Sequence, residues 1–262
     1  MRSLGLVVAG LGLALVGGSP VVSAPAAAAK PSSAAPAGAA AAVAPDALQA
    51  LRRMSAYLAT LPAVELTSNT SLDVVTMNGQ RVELDAVARY KIRRSDGFSL
   101  QVVSDRMQRS YFYDGKQFTV YAPKLGFYAT AAAPPTIRQT LDLLDEKFGI
   151  ELPLEDLFRW NDPSDNPAQK LTSGFHVGTA TIDGVETDQY AFRQPKVDWQ
   201  VWIQKGPQPL PVKVVIVDQV DPANPAYVAR LSWNTSPTLT ADDFTFRPGK
   251  DAKLIHMSEV AR

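Results

Sequence analysis

The stretch Arg81–Arg93 restricts the possible folds of this chain more than any other. Val82, Leu84, Ala86, Ala88, Tyr90 and Ile92 alternate with Arg81, Glu83, Asp85, Arg89, Lys91 and Arg93, and only Val87 breaks the polar side. A period of two specifies a β-strand with one face on a core and one in water. Such a strand belongs to an antiparallel sheet, because parallel sheets bury both faces. Asn78-Gly79 before it and Asp96-Gly97 after it are turn pairs, in which glycine supplies positive φ without steric cost. On this register Tyr90 is a core residue, and Lys91 is a surface residue whose replacement costs little.

Strand signals continue on both sides. Val64–Val75 precedes the first turn, with Leu66, Leu72 and Val74 on one face. After Asp96-Gly97, Phe98, Leu100 and Val102 share a face. Arg109–Tyr113 and Gln117–Tyr121 flank Asp114-Gly115, and Phe127–Ala129 adds a short strand. In the second half, Phe175–Ile182 and Val185–Arg193 flank Asp183-Gly184. Val197–Gln204 aligns Trp199, Val201 and Ile203, and Pro211–Val220 and Tyr227–Trp233 complete the set before a closing segment, Asp242–Pro248.

Two stretches have helical spacing instead. Asp46–Leu61 places Leu51, Met54, Ser55 and Leu58 on one stripe, with Asp46 as its cap and Pro62 as its stop. Thr136–Phe148 carries Ile137, Leu141, Leu144 and Phe148 on one side and charged residues on the other, and Gly149 ends it. Leu154–Trp160 reads as one more helical turn or two, and Asn161–Gln169 as a polar loop. About ten strands joined by hairpins, with two or three helices, give an α+β fold: an antiparallel sheet with helices against one face. A meander of this length curls strongly and leaves an apolar trough under the helices. Tyr90, Phe98, Tyr111, Tyr113, Phe118 and Tyr121 line that trough on this reading, with Phe127 and Tyr128 beside them and Leu141 and Leu144 above as its lid. The alternative for each is ordinary core packing.

The N-terminus bears export features. Arg2 precedes an apolar run, Leu4–Val16, of about a dozen residues, too short to span a bilayer. Gly17, Gly18 and Pro20 break it, and small-residue sites follow at Val22-Ser23-Ala24 and Ala27-Ala28-Ala29. Pro25 hinders a cut after Ala24, which favours one near Ala29. Residues 1–29 therefore read as a cleaved signal peptide, 30–45 as an Ala/Pro-rich tether, and 46–255 as the folded domain of a periplasmic protein. The chain has no cysteine, which excludes a lipidated N-terminus, disulfides and thiolate metal sites.

Composition narrows function by exclusion. Lys plus Arg and Asp plus Glu number 26 each, so no basic excess points to nucleic acid. The two histidines, His176 and His256, form no zinc pattern. Neither a nucleophile elbow nor a P-loop occurs, and the one Gly-x-Gly, Gly10–Gly12, lies in the signal. Glu151, Glu155 and Asp156 cluster, and Asn161–Asn166 offers oxygen ligands for calcium, but without EF-hand spacing it reads as a solvated loop. Asp242-Asp243 reads as a turn or cap. Arg52-Arg53 and Arg93-Arg94 read as solvated faces, with contact to an anionic head group as the alternative for the second pair. The expectation is a protein with no catalytic residue, metal or cofactor.

Several segments together carry a family resemblance. These are the helix at Leu51–Leu61, the long meander, the amphipathic helix at Thr136–Phe148, "DGVETDQYAF" at Asp183–Phe192, "VWIQKGPQPLPVKVVI" at Val201–Ile216 and "DDFTFRP" at Asp242–Pro248. The chain resembles the LolA/LolB superfamily of periplasmic lipoprotein carriers. More narrowly, it is similar to an uncharacterised predicted periplasmic family related to LolA. The resemblance implies an unclosed β-barrel with helices plugging its concave face, and a protein that carries or senses a lipid or an acylated lipoprotein; a monomer is expected. A second reading is a regulatory interaction module with a filled core, acting on a partner protein of the inner or outer membrane.

Overall fold

The computed structural model describes residues 43–94, 96–152, 154 and 167–259. The signal peptide, most of the tether, the helical turn after Leu154 and the loop Asn161–Asn166 lie outside the described residues.

Two meanders build one sheet. The first comprises β1 (Ala63–Val75), β2 (Arg81–Arg93), β3 (Gly97–Val103), β4 (Gln108–Tyr113), β5 (Gln117–Ala122) and β6 (Phe127–Ala132). The second comprises β7 (Ser173–Ile182), β8 (Val185–Gln194), β9 (Val197–Gln204), β10 (Pro211–Asp218) and β11 (Ala226–Asn234). Pairing of β1 with β11 joins them, and a two-residue strand, β12 (Lys253–Leu254), adds to β6. The order β12-β6-β5-β4-β3-β2-β1-β11-β10-β9-β8-β7 does not close, so the sheet is open and curved. All strand pairings are antiparallel except β12 on β6, and an isolated parallel bridge joins Val43 to Gly174 of β7. The parallel addition of β12 departs from the expected run of hairpins and carried no sequence signal, because two residues are too few to show a period.

Helix α1 (Pro45–Thr60) precedes the first meander, and α2 (Ile137–Phe148) links the two. Pro45 occupies the first helical turn of α1, where its missing N–H costs nothing, and no side chain caps the helix. Asp46, expected as the cap, instead sits in the first turn and complements the helix dipole. At the other end, Arg94 donates from Nε to the Leu61 carbonyl at 2.9 Å and from Nη2 to the Leu58 carbonyl. Arg93 forms a fork on Asp96, at 2.7 and 3.2 Å, and lies 4.8 Å over the Phe244 ring. This pair is structural rather than a solvated face, and neither arginine is held out for a head group.

Thr136 caps α2 by accepting from the Gln139 N–H, and Gly149, at φ 63°, ends it. The Gly149 amide returns to the Asp145 carbonyl and the Ile150 amide to the Leu144 carbonyl, which closes the helix in a left-handed (αL) cap. Strand β6 runs to Ala132, beyond the short strand expected from its alanine-rich sequence. Its ladder with β5, from Ala122–Phe127 to Gln117–Ala132, overrides the low strand preference of alanine. Within the loop expected at Asn161–Gln169, Pro167–Lys170 forms a 3-10 turn.

Candidate functional site

Strand register decides which side chains face the helices. Leu66 lies opposite Tyr90, Tyr90 opposite Leu100, and Leu100 opposite Tyr111. Phe98 lies opposite Tyr113, and Tyr113 opposite Phe118. This inner face shares one apolar cluster with Leu51, Met54 and Leu58 of α1 and Leu144 of α2. Of the residues read as trough lining, Tyr90, Phe98, Tyr111, Tyr113 and Phe118 come together here.

Their environments differ. Phe98 packs against Tyr113 and Phe118 with ring centroids 5.4 and 6.3 Å apart, and all three are buried. The Tyr113 hydroxyl donates to the Pro134 carbonyl at 2.6 Å, and Thr140 Oγ1 donates to the same carbonyl at 3.2 Å. These three rings are therefore packed wall, tied to the start of α2. Tyr111 is half-buried and stacks on Phe118 at 6.2 Å. Leu144 is fully buried, whereas Leu141 is half-buried against the cluster.

Tyr121 does not reach the trough. It pairs with Ser110 and Tyr128, on the outer face. There Tyr121, Tyr128 and Phe112 surround Phe246, with centroids 5.0, 5.0 and 5.5 Å away. Tyr128 shares that location, so two of the aromatic side chains expected inside hold the C-terminal segment outside. Strand alternation sets Tyr121 on the face opposite Phe118 and Val120, so its aromatic character does not place it with the rings inside.

The second meander supplies half of the inner face, including residues the sequence had assigned only to strands. Phe192 stacks on Trp199 at 4.4 Å and on Tyr190 at 6.5 Å. Ser68 and Tyr227 lie deep on this face, and neither hydroxyl closes a hydrogen bond. Burial pushes the Tyr227 hydroxyl up to about 12, with Ser68 near enough to pull part of the way back. Tyr90 is raised well above its ordinary value, chiefly by burial and then by Tyr227 and Tyr111. The inner face thus stays uncharged here at physiological pH. On β1–β6 its one charged side chain among the described residues is Arg109, half-buried and opposite Val102.

The helices cover this face unevenly. Helix α1 buries Ala47, Ala50, Leu51, Met54, Ser55 and Leu58, whereas α2 buries only Thr140 and Leu144. Toward the end of the sheet that holds the β1–β2 turn, Leu72, Val74, Val82, Leu84, Val102 and Val120 are only half-buried. The apolar lining therefore continues past the helices. Among the described residues, no group of three or more His, Asp or Glu could hold a metal ion, and no helix is long and apolar enough to cross a membrane.

Among solved structures, the chain is similar to an uncharacterized conserved protein from Thermus thermophilus, at 12% identity and TM-score 0.49 over 80% of this chain and 99% of that one. It is similar to lipoprotein LppX from Mycobacterium tuberculosis, at 14% identity and TM-score 0.43 over 74% and 98%. It is also similar to a LolA superfamily protein from Nitrosomonas europaea, at 8% identity and TM-score 0.38 over 76% and 97%. No curated protein matches the chain by sequence. A family model described as "Predicted periplasmic protein (DUF2092)" matches residues 47–258, and the chain belongs to that family.

Proposed function

We propose that this domain is a non-catalytic, periplasmic binding protein for an acyl chain, carried by a lipid or an acylated lipoprotein, acting as a carrier or sensor. The observation that carries this reading is the apolar inner face extending beyond its helices, with Leu72, Val74, Val82 and Leu84 half-buried at its open end. An acyl chain laid along that face gains about 0.8 kcal/mol per buried CH₂. Helix α2 is the lid, since it is held by far less buried surface than α1. Arg109 stands on the inner face near the open end, where it meets the polar end of an anionic ligand.

The second reading is a filled interaction module that regulates a membrane-protein partner. The packed Phe98, Tyr113 and Phe118 cluster favours it, because that half of the trough is already occupied by the protein itself. Two measurements separate the readings. Native mass spectrometry of protein purified from its own periplasm should show a co-purified lipid. Titration with a fluorescent fatty acid should saturate, and Arg109→Gln should weaken that probe while sparing a neutral ester of the same length. Absence of both co-purified lipid and probe binding sinks the carrier reading and leaves the interaction module.

A further inference from the structure

The two rims of the sheet differ in chemistry. Register places the turns β1–β2, β3–β4, β5–β6, β8–β9 and β10–β11 at one rim. The turns β2–β3, β4–β5, β7–β8 and β9–β10 lie at the other. Four turns of the first rim each present an exposed apolar side chain: Met77 at 100%, Met107 at 37%, Leu125 at 69% and Val220 at 66%. Among the described residues, no turn of the second rim presents a large exposed apolar side chain. The second rim holds the end of α1, through Arg94, and the approach to α2, through Tyr113, while the start of α1 is tied at the β7 end of the first rim, where the Ala44 amide donates to the Gly174 carbonyl.

Leu254 and Ile255 extend the apolar rim, because Leu254 pairs with Tyr128 and the Ile255 amide donates to the Tyr128 carbonyl. Lys124 ties two of its turns together by donating to the Asp105 carbonyl at 2.8 Å. The tips are spread along an arc of strands spaced about 4.8 Å apart, and each is flanked by polar residues. A protein interface concentrates its apolar contacts in one contiguous core. Separate tips on an arc suit a fluid apolar medium, into which each turn sinks independently. The turns of this rim carry both signs of charge, Arg106, Lys124 and Lys196 as well as Asp105, Asp218 and Asp221, so charge does not select the lipid.

We propose that this rim is a docking surface for the face of a lipid bilayer. The apolar tips enter the interfacial layer and set the open end of the trough against the membrane. This rests on the acyl-binding reading for its purpose, but its geometry is independent of it.

Flotation with phosphatidylcholine vesicles tests the proposal. The full mature protein should float with them, and 0.5 M NaCl (a concentration that screens surface charge beyond about 4 Å) should leave binding unchanged. Met77→Asp with Leu125→Asp should reduce vesicle binding by at least about tenfold. Both positions are exposed turn residues, so the melting temperature and the fatty-acid titration in solution should stay as in the wild type. A wild type that does not float, or a double variant that floats as well as the wild type, overturns the docking surface. A wild type that floats yet binds no fatty acid retains the docking surface and removes the carrier reading instead.

Discussion

Tyr90 and Lys91 are neighbours in sequence with opposite environments. Tyr90 is buried on the inner face, and Tyr90→Asp would place an unpaired charge there; the expected loss is about 4 kcal/mol or more. Lys91 points outward, yet it is not idle. Its Nζ lies 2.6 Å from Asp243 Oδ1 and 3.9 Å from Glu65 Oε1. The expectation that Lys91 can be changed at little cost therefore gives way to a modest one. Lys91→Asp should cost about 1 kcal/mol, as an exposed pair is broken and like charges meet. Urea denaturation of the two variants checks the ranking, and equal losses would show the register to be wrong. Asp243 is also held by the Thr240 amide, and these bonds, Lys91 foremost, bring its carboxyl down to about 2. A lowered carboxyl stabilises the fold above its unfolded value, near 4, and the contribution disappears as pH falls through about 2. Melting curves from pH 5 to pH 2 should thus fall more steeply for the wild type than for Asp243→Asn.

At the scale of elements, the two helices differ in how firmly they are seated. Helix α1 is capped by Arg94 and buries six residues, whereas α2 buries two. Opening free energy follows buried contact. Hydrogen exchange should therefore proceed faster at α2 amides than at α1 amides, and a bound fatty acid should slow α2 selectively. Equal protection of the two helices would remove α2 as the lid. The sequence reveals elements of this kind well. The alternation in β2 and the 3.6-residue stripe of α2 mark both the element and its buried side, because each period repeats over many residues. Legibility fails where tertiary context decides. Strand β6 is alanine-rich and is held by its partner, and Arg94 looks like any surface cation until the end of α1 arrives beside it. Tyr121 belongs to the same case, since its face was readable from Phe118 but its partner, Phe246, lies more than a hundred residues away in sequence.

At the scale of the whole molecule, the C-terminal segment is part of the sheet. It crosses the outer face of the first meander, where Phe244 is fully buried and Phe246 sits among three rings, before β12 pairs with β6. The site it occupies on β3 is made by Gly97. A Cβ there would stand 2.7 Å from the Phe244 ring, and the ring is additionally covered by the Arg93 guanidinium. Gly97 is needed for this close approach. Phe244→Ala should cost about 3–5 kcal/mol through lost burial and the space left behind. Gly97→Ala should also destabilise, by about 1–3 kcal/mol, because the methyl group forces the ring out of its seat. The two losses should not add. Once Phe244 is alanine, the methyl at Gly97 meets open space and partly fills it, so the double variant should be no less stable than Phe244→Ala alone. Denaturant titrations of the four proteins give the coupling directly. Additive losses would mean that the Phe244 ring does not rest on Gly97 of β3.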